Sequence, residues 1–184
     1  TLARRGVALN EVVNLNEIIN EFIKSPEYKN ILSYHPNTKV EINLDEDLLN
    51  TIGSTINLSK VLMNLVSNAA ESMVNGGNIS ITPQNQYLDR PVSGYEHIDK
   101  GEYVTLTVSD KGEGIPKTDL LKIFEPFYTK KKMGRSGTGL GMTVVWGTVK
   151  DFSGYIDIES EETKGTTFTL YFPASREEII KKKS

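Results

Sequence analysis

The residues able to do chemistry gather between Asp110 and Met142, where the chain reads DKGEGIPKTDLLKIFEPFYTKKKMGRSGTGLGM. Two glycine clusters frame the stretch, Asp110-Lys-Gly-Glu-Gly114 and Gly134-Arg-Ser-Gly-Thr-Gly-Leu-Gly141. Glycines so spaced let a backbone approach a ligand closely and adopt φ > 0. The first cluster follows an alternating run from Tyr103 to Val108, so Asp110 is expected just past a strand end, its carboxylate aimed into the space the glycines line. The second opens a helical run from Leu140 to Phe152, whose free amides and dipole favour an anion such as phosphate. Between them lie Phe124, Phe127 and Tyr128, then the cations Lys130, Lys131, Lys132 and Arg135. That order suggests a base pocket, then a mobile basic lid over residues 127–136, then a phosphate cradle. Two short nucleotide templates are excluded. The second cluster lacks the Gly-Lys-Ser/Thr ending of a P-loop, and it follows a basic loop where a Rossmann fingerprint follows a strand.

A third group of polar residues comes with a helix. Leu58, Val61, Leu62, Leu65, Val66, Ala69 and Met73 recur at the spacing of a helix packed on a sheet. Asn57, Asn64, Asn68 and Asn75 fall in a narrow stripe on its opposite face. Asparagine is a mediocre helix former, yet its amide can place an oxygen on a hard cation and an N–H on a phosphate. Taken alone, the stripe is equally a plain polar face.

The elements that must position these groups follow from the rest of the pattern. Residues 1–24 read helical through Leu15, Ile18, Ile19, Phe22 and Ile23, with Pro26 ending the run. Strands are expected over 39–44 and 48–52, and Gly76-Gly77 closes the asparagine helix. Strands over 78–87 and 102–110 can pair as a hairpin across a polar loop, and strands over 154–160 and 166–172 as a closing hairpin. A short helix is expected near 118–124. The predicted fold is an α/β (α+β) sandwich, a mixed and mainly antiparallel sheet covered on one face by about three helices.

Composition narrows the function classes. A chain of 184 residues suits one folded domain with short appendages. Its formal charge of −3 argues against non-specific nucleic-acid binding. No stretch approaches a membrane span, and the opening lacks a signal-peptide core, so no membrane contact by this domain is expected. The absence of cysteine removes disulfides, thiolate metal sites and thiol nucleophiles and suits a cytoplasmic setting. The first residue is Thr1, so the chain reads as a piece of a longer protein.

Four elements in order, Asn64-Leu-Val-Ser-Asn68-Ala, Asp110-Lys-Gly-Glu-Gly114-Ile, Phe124-Glu-Pro-Phe127 and Gly137-Thr-Gly-Leu-Gly141, resemble the N, G1, F and G2 boxes of sensor histidine kinases. These kinases share a superfamily with DNA gyrase, the heat-shock chaperone ATPases and the MutL proteins. Gly165-Thr166-Thr-Phe168 is similar to the closing Gly-Thr motif, and the likeness spans roughly residues 38–173. The resemblance implies a Bergerat-type fold binding ATP and Mg²⁺. It casts Asp110 as acceptor for the adenine amine, with Gly112, Gly114, Ile115, Phe124 and Phe127 about the base and Thr166 reaching it through water. Asn68 matches the Mg²⁺ ligand, with Asn64 facing the same phosphates. The backbone of Gly137, Thr138, Gly139, Leu140 and Gly141 would hold the phosphates, with Lys130 or Arg135 as the lid cation.

Two departures qualify the likeness. Where many such kinases carry Lys and an aromatic after the second asparagine, this chain has Glu71 and Ser72, leaving Met73 as an apolar wall. Neither His35-Pro36 nor His97-Ile98 matches the acceptor motif, a His followed by an acidic residue on a dimerising helical hairpin. Residues 1–20 are accordingly read as the remnant of that hairpin and a linker, 21–175 as the ATP-binding domain, and 176–184 as a charged tail. The function implied is transfer of the ATP γ-phosphoryl to a histidine on a separate domain for relay to a response regulator, by a protein that is a homodimer at full length. The alternatives are an ATP hydrolase of the gyrase type, which Asn64 disfavours because an amide is no general base, and an ATP-binding interaction module without chemistry.

Overall fold

The strands Gly77–Leu88 and Gly165–Ser175 alternate buried and less buried positions, the period of two that a half-buried sheet requires. The computed structural model describes residues 10–126, 128 and 141–180. In chain order the elements are β1 (Glu11–Val13), α1 (Leu15–Phe22), α2 (Pro26–Tyr34), β2 (Thr38–Ile42), β3 (Asn50–Gly53), α3 (Thr55–Ser72), β4 (Gly77–Leu88), β5 (Val92–Ser93), β6 (His97–Ile98), β7 (Gly101–Asp110), α4 (Gly141–Asp151), β8 (Tyr155–Glu161) and β9 (Gly165–Ser175).

Among the described residues the main sheet has seven strands, ordered β1-β3-β9-β7-β4-β2, with β8 also paired to β9. Only β2 with β4 is parallel; the other pairs run antiparallel. The expected hairpins are present as β4–β7 and β8–β9. Val104, Leu106 and Val108 of β7 and Phe168, Leu170 and Phe172 of β9 point to one face, where they meet Leu58, Val61, Leu62, Leu65 and Val66 of α3. That face carries the core, and it is where the four helices among the described residues lie, one more than expected.

The extra helix is α2. Pro26 does not end a helix but starts one, because the first turn needs no amide hydrogen there and the Ser25 hydroxyl accepts the Tyr28 amide at 3.2 Å. The start of the chain also differs from the helical reading. Val13 sits in β1, which pairs with β3, and Asn14 then caps α1 by accepting the Asn16 amide at 2.9 Å. The Asn14 amide donates to Asn50 and to the Leu48 carbonyl. Leu15, Ile18, Ile19 and Phe22 are buried in the common core. The segment from Glu11 to Phe22 is thus paired to the sheet through β1 and packed into the core through α1. Residues 1–9 lie outside the described residues.

Two smaller corrections concern the site's surroundings. Residues 118–124 form successive three-residue turns, with Lys122 N–H on Asp119 O and Glu125 N–H on Lys122 O, and no α-helix. Pro116 sets their start, and Ile123 is buried by them. The loop between β4 and β7 folds into a β5–β6 ribbon that lies along β8. There Glu96 accepts the Ile156 amide at 2.6 Å and pairs with Lys150 of α4, while Tyr95 N–H donates to Asp157 at 2.9 Å. The Lys150 ammonium stands 4.8 Å from the Trp146 ring.

Candidate functional site

Asp110 is the last residue of β7, and strand register sets its neighbours: it stands directly opposite Thr166 of β9. Both side chains are buried although both are polar. Asp110 Oδ1 accepts the Gly112 amide at 2.8 Å and the Ser72 hydroxyl at 3.1 Å. Desolvation by burial pushes the Asp110 carboxyl above its usual range, while the Gly112 amide, the Ser72 hydroxyl and the Thr166 amide pull it back. A carboxylate kept at a strand end at this cost is a candidate for binding a ligand donor.

The glycines after it are dictated by contact. A Cβ on Gly112 would lie 2.1 Å from Ser72 Oγ, so the loop presses against the end of α3. Gly114 has φ +75° and passes the β8–β9 turn so closely that a Cβ would fall 2.2 Å from Glu161 O. Ile115 N–H donates to Ser160 Oγ at 2.7 Å, and Ser160 shares a 2.8 Å bond with the Thr166 hydroxyl. A cleft of about 520 Å³ opens here, lined by Asp110, Ser160, Thr166, Leu120, Lys111 and Lys117 among others. Ser72 and Ser160 are the polar groups that sequence reasoning missed as participants. Ser72 stood out only as a departure from a pattern, and nothing local marks Ser160.

Asn64 and Asn68 are one turn apart on α3, and both are half-buried. The packing of α3 against α4 brings Asn64 to the start of α4, where a Cβ on Gly141 would lie 2.9 Å from Asn64 Oδ1. The first asparagine and the last glycine of the second cluster are thus neighbours in space. Asn57 remains on the helix, but Asn75 does not belong to the stripe, since α3 ends at Ser72. Met73 caps the helix in the core, against Gly77. Phe124 packs on Trp146 at 5.1 Å and Tyr95 at 5.8 Å, and Thr143 Oγ1 donates to its carbonyl at 3.2 Å. Phe127, Lys130, Arg135, Gly137, Thr138, Gly139 and Leu140 lie outside the described residues, as does nearly all of the expected lid.

The donor set bears on a metal. Among the described residues no three His, Cys, Asp or Glu side chains group as metal ligands, so an all-protein cage is absent there. Neutral amide oxygens next to a helix start instead fit Mg²⁺, which keeps its waters and takes phosphate oxygens. Asn68 and Asn64 are the side chains on α3 that could offer such an oxygen.

Comparison with known proteins points to one family. The family model described as "Histidine kinase-, DNA gyrase B-, and HSP90-like ATPase" matches residues 53–176. The chain is 34% identical over 179 residues to sensor kinase CckA of Brucella abortus, covering 96% of this chain and 18% of that protein. It is 33% identical over 176 residues to sensor histidine kinase ZraS of Escherichia coli K12, covering 95% of this chain and 32% of that one. The chain thus spans 18% to 32% of the length of these curated relatives. The solved catalytic domain of histidine kinase ThkA, in a nucleotide-free form, superposes with a TM-score of 0.70 at 28% identity, covering 90% of this chain and 96% of that one.

Proposed function

Because the chain belongs to the family of histidine kinase-, DNA gyrase B- and HSP90-like ATPases, we propose that it is the ATP-binding catalytic domain of a sensor histidine kinase. In this reading it presents the γ-phosphoryl of Mg·ATP to a histidine on a separate dimerisation and phosphoacceptor domain, for relay to an aspartate of a response regulator. The protein that carries it works as a cytoplasmic-facing homodimer.

The observation that carries the reading is the buried Asp110 carboxylate, fixed by Gly112 and Ser72 and facing Thr166. Asp110 accepts the exocyclic amine of adenine, a charge-assisted bond worth about 1.5–3 kcal/mol. Gly112 and Gly114 bring the loop beside the ring, Ile115 and Phe124 supply apolar surface, and Thr166 meets the base edge through water. The asparagines and the Gly141 end of α4 face the phosphates. Bound Mg²⁺ supplies charge neutralisation at the phosphate oxygens and is held on the protein side by Asn68. Transfer of this kind depends on positioning and electrostatics, with the attacking nitrogen brought by the acceptor domain.

Asn64 separates this reading from an ATP hydrolase. Its amide cannot take a proton from water, so the chain lacks a base at the place next to Gly141. The test is to mix the chain with the separately expressed acceptor hairpin of its parent protein and γ-labelled ATP. The expected product is an acid-labile, base-stable phosphoadduct on the hairpin, formed at high protein concentration because the tether is missing. Rapid ATP hydrolysis by the chain alone, with no label on the hairpin, overturns the reading.

A further inference from the structure

The α3 helix ends on the loop that holds Asp110, and its last residue is Ser72. The Ser72 carbonyl accepts the Glu113 amide at 3.1 Å, and its side chain reaches Asp110 Oδ1 at 3.1 Å. The same hydroxyl lies 2.9 Å from the Ala69 carbonyl, so one proton has two acceptors. The carboxylate is the stronger acceptor, being charged and 7% exposed. This contact sits in an unfavourable field. An 18-residue helix turns its negative end toward the carboxylate, and its last turn carries no basic residue to offset it. A carboxylate so placed, and desolvated, turns toward whatever donors surround it. Gly112 N–H and Ser72 O–H both meet Oδ1, and with the Thr166 amide they hold the carboxylate in one orientation at the edge of the cleft.

We propose that Ser72 is a positioning residue for base recognition, whose hydroxyl orients the Asp110 carboxylate toward the exocyclic amine and so sets the preference for 6-aminopurine nucleotides. The inference rests on the reading of Asp110 as the adenine-binding group. Other serines brace helix ends among the described residues, but they bond backbone: Ser25 to the Phe22 carbonyl and the Tyr28 amide, and Ser54 to the Asn57 amide. Ser72 is distinguished by a charged acceptor inside the site.

The test is a cycle of two proteins and two ligands, read by calorimetry on the 184-residue chain. The ligands are ADP and purine riboside diphosphate, which lacks the 6-amino group. Ser72→Ala is expected to weaken ADP on the order of tenfold, the scale of a lost hydrogen bond to a charged group, while the des-amino ligand binds both proteins alike. Equal losses for the two ligands mean that Ser72 merely supports the loop, and unchanged ADP affinity means that Asp110 needs no help; either result overturns the proposal. Asp110→Asn, measured in parallel, separates the two readings. If it leaves ADP binding intact, the adenine assignment itself fails; if it weakens ADP while Ser72→Ala does not, only the role of Ser72 fails.

Discussion

Asp110 carries a titration signature that its neighbours cannot hide. Burial raises its carboxyl above the ordinary value, and the donors from Gly112, Ser72 and Thr166 only partly offset that. The sign follows: a carboxyl raised in the folded state costs stability in its ionised form, a cost absent below the unfolded pKa and fully felt above the folded one. Adenine needs the ionised form. ADP affinity should therefore fall on acidification at a pH above the range where an ordinary aspartate protonates, and binding near that pH should release protons, seen as buffer-dependent heats. Asp110→Asn should remove that acid limb and weaken ADP by one to two orders of magnitude. Asn68→Ala should lower Mg·ATP affinity roughly tenfold while leaving metal-free binding nearly intact; equal losses with and without Mg²⁺ would point to plain helix destabilisation.

Among the elements, α1 is packed into the common core. Ile19 is fully buried against the core, so Ile19→Ala should cost about 2–5 kcal/mol in chemical unfolding; a change of a few tenths would mean that α1 adds little to the core. Gly114→Ala puts a side chain at φ +75° against the Glu161 carbonyl and should lower the melting temperature by several degrees while disabling the site. The same elements show what a sequence discloses. Alternation of residue type through Tyr103–Val108 and Thr166–Phe172 and the apolar spacing of α3 were readable because each turns its most apolar side chains to the common core. The glycine clusters and the asparagine pair were readable as residue types with a purpose. Pro26 misled because its missing amide suits a helix start as well as a stop. Ser72 and Ser160 stayed hidden because their partners lie 38 and 45 positions away, brought close only by register and loop packing.

For the molecule as a whole, neither histidine has the setting of a phosphoacceptor. His35 ends α2, and His97 sits exposed in the β5–β6 ribbon, 3.4 Å from Asp99. Incubated with labelled ATP alone, the chain should acquire no acid-labile phosphate on either, as mass spectrometry at neutral pH would show. The β5–β6 ribbon has a second bearing on the molecule. Through Tyr95 it braces Phe124, and Thr143 of α4 grips the Phe124 carbonyl, so two points 19 positions apart in the chain are held together by described residues outside the stretch 129–140. For a segment whose ends the scaffold already holds, closure entropy rises only with the logarithm of length, about 0.6 kcal/mol for each doubling. The number of residues between Phe124 and Thr143 can therefore vary at small cost to the fold while their contact in space is kept.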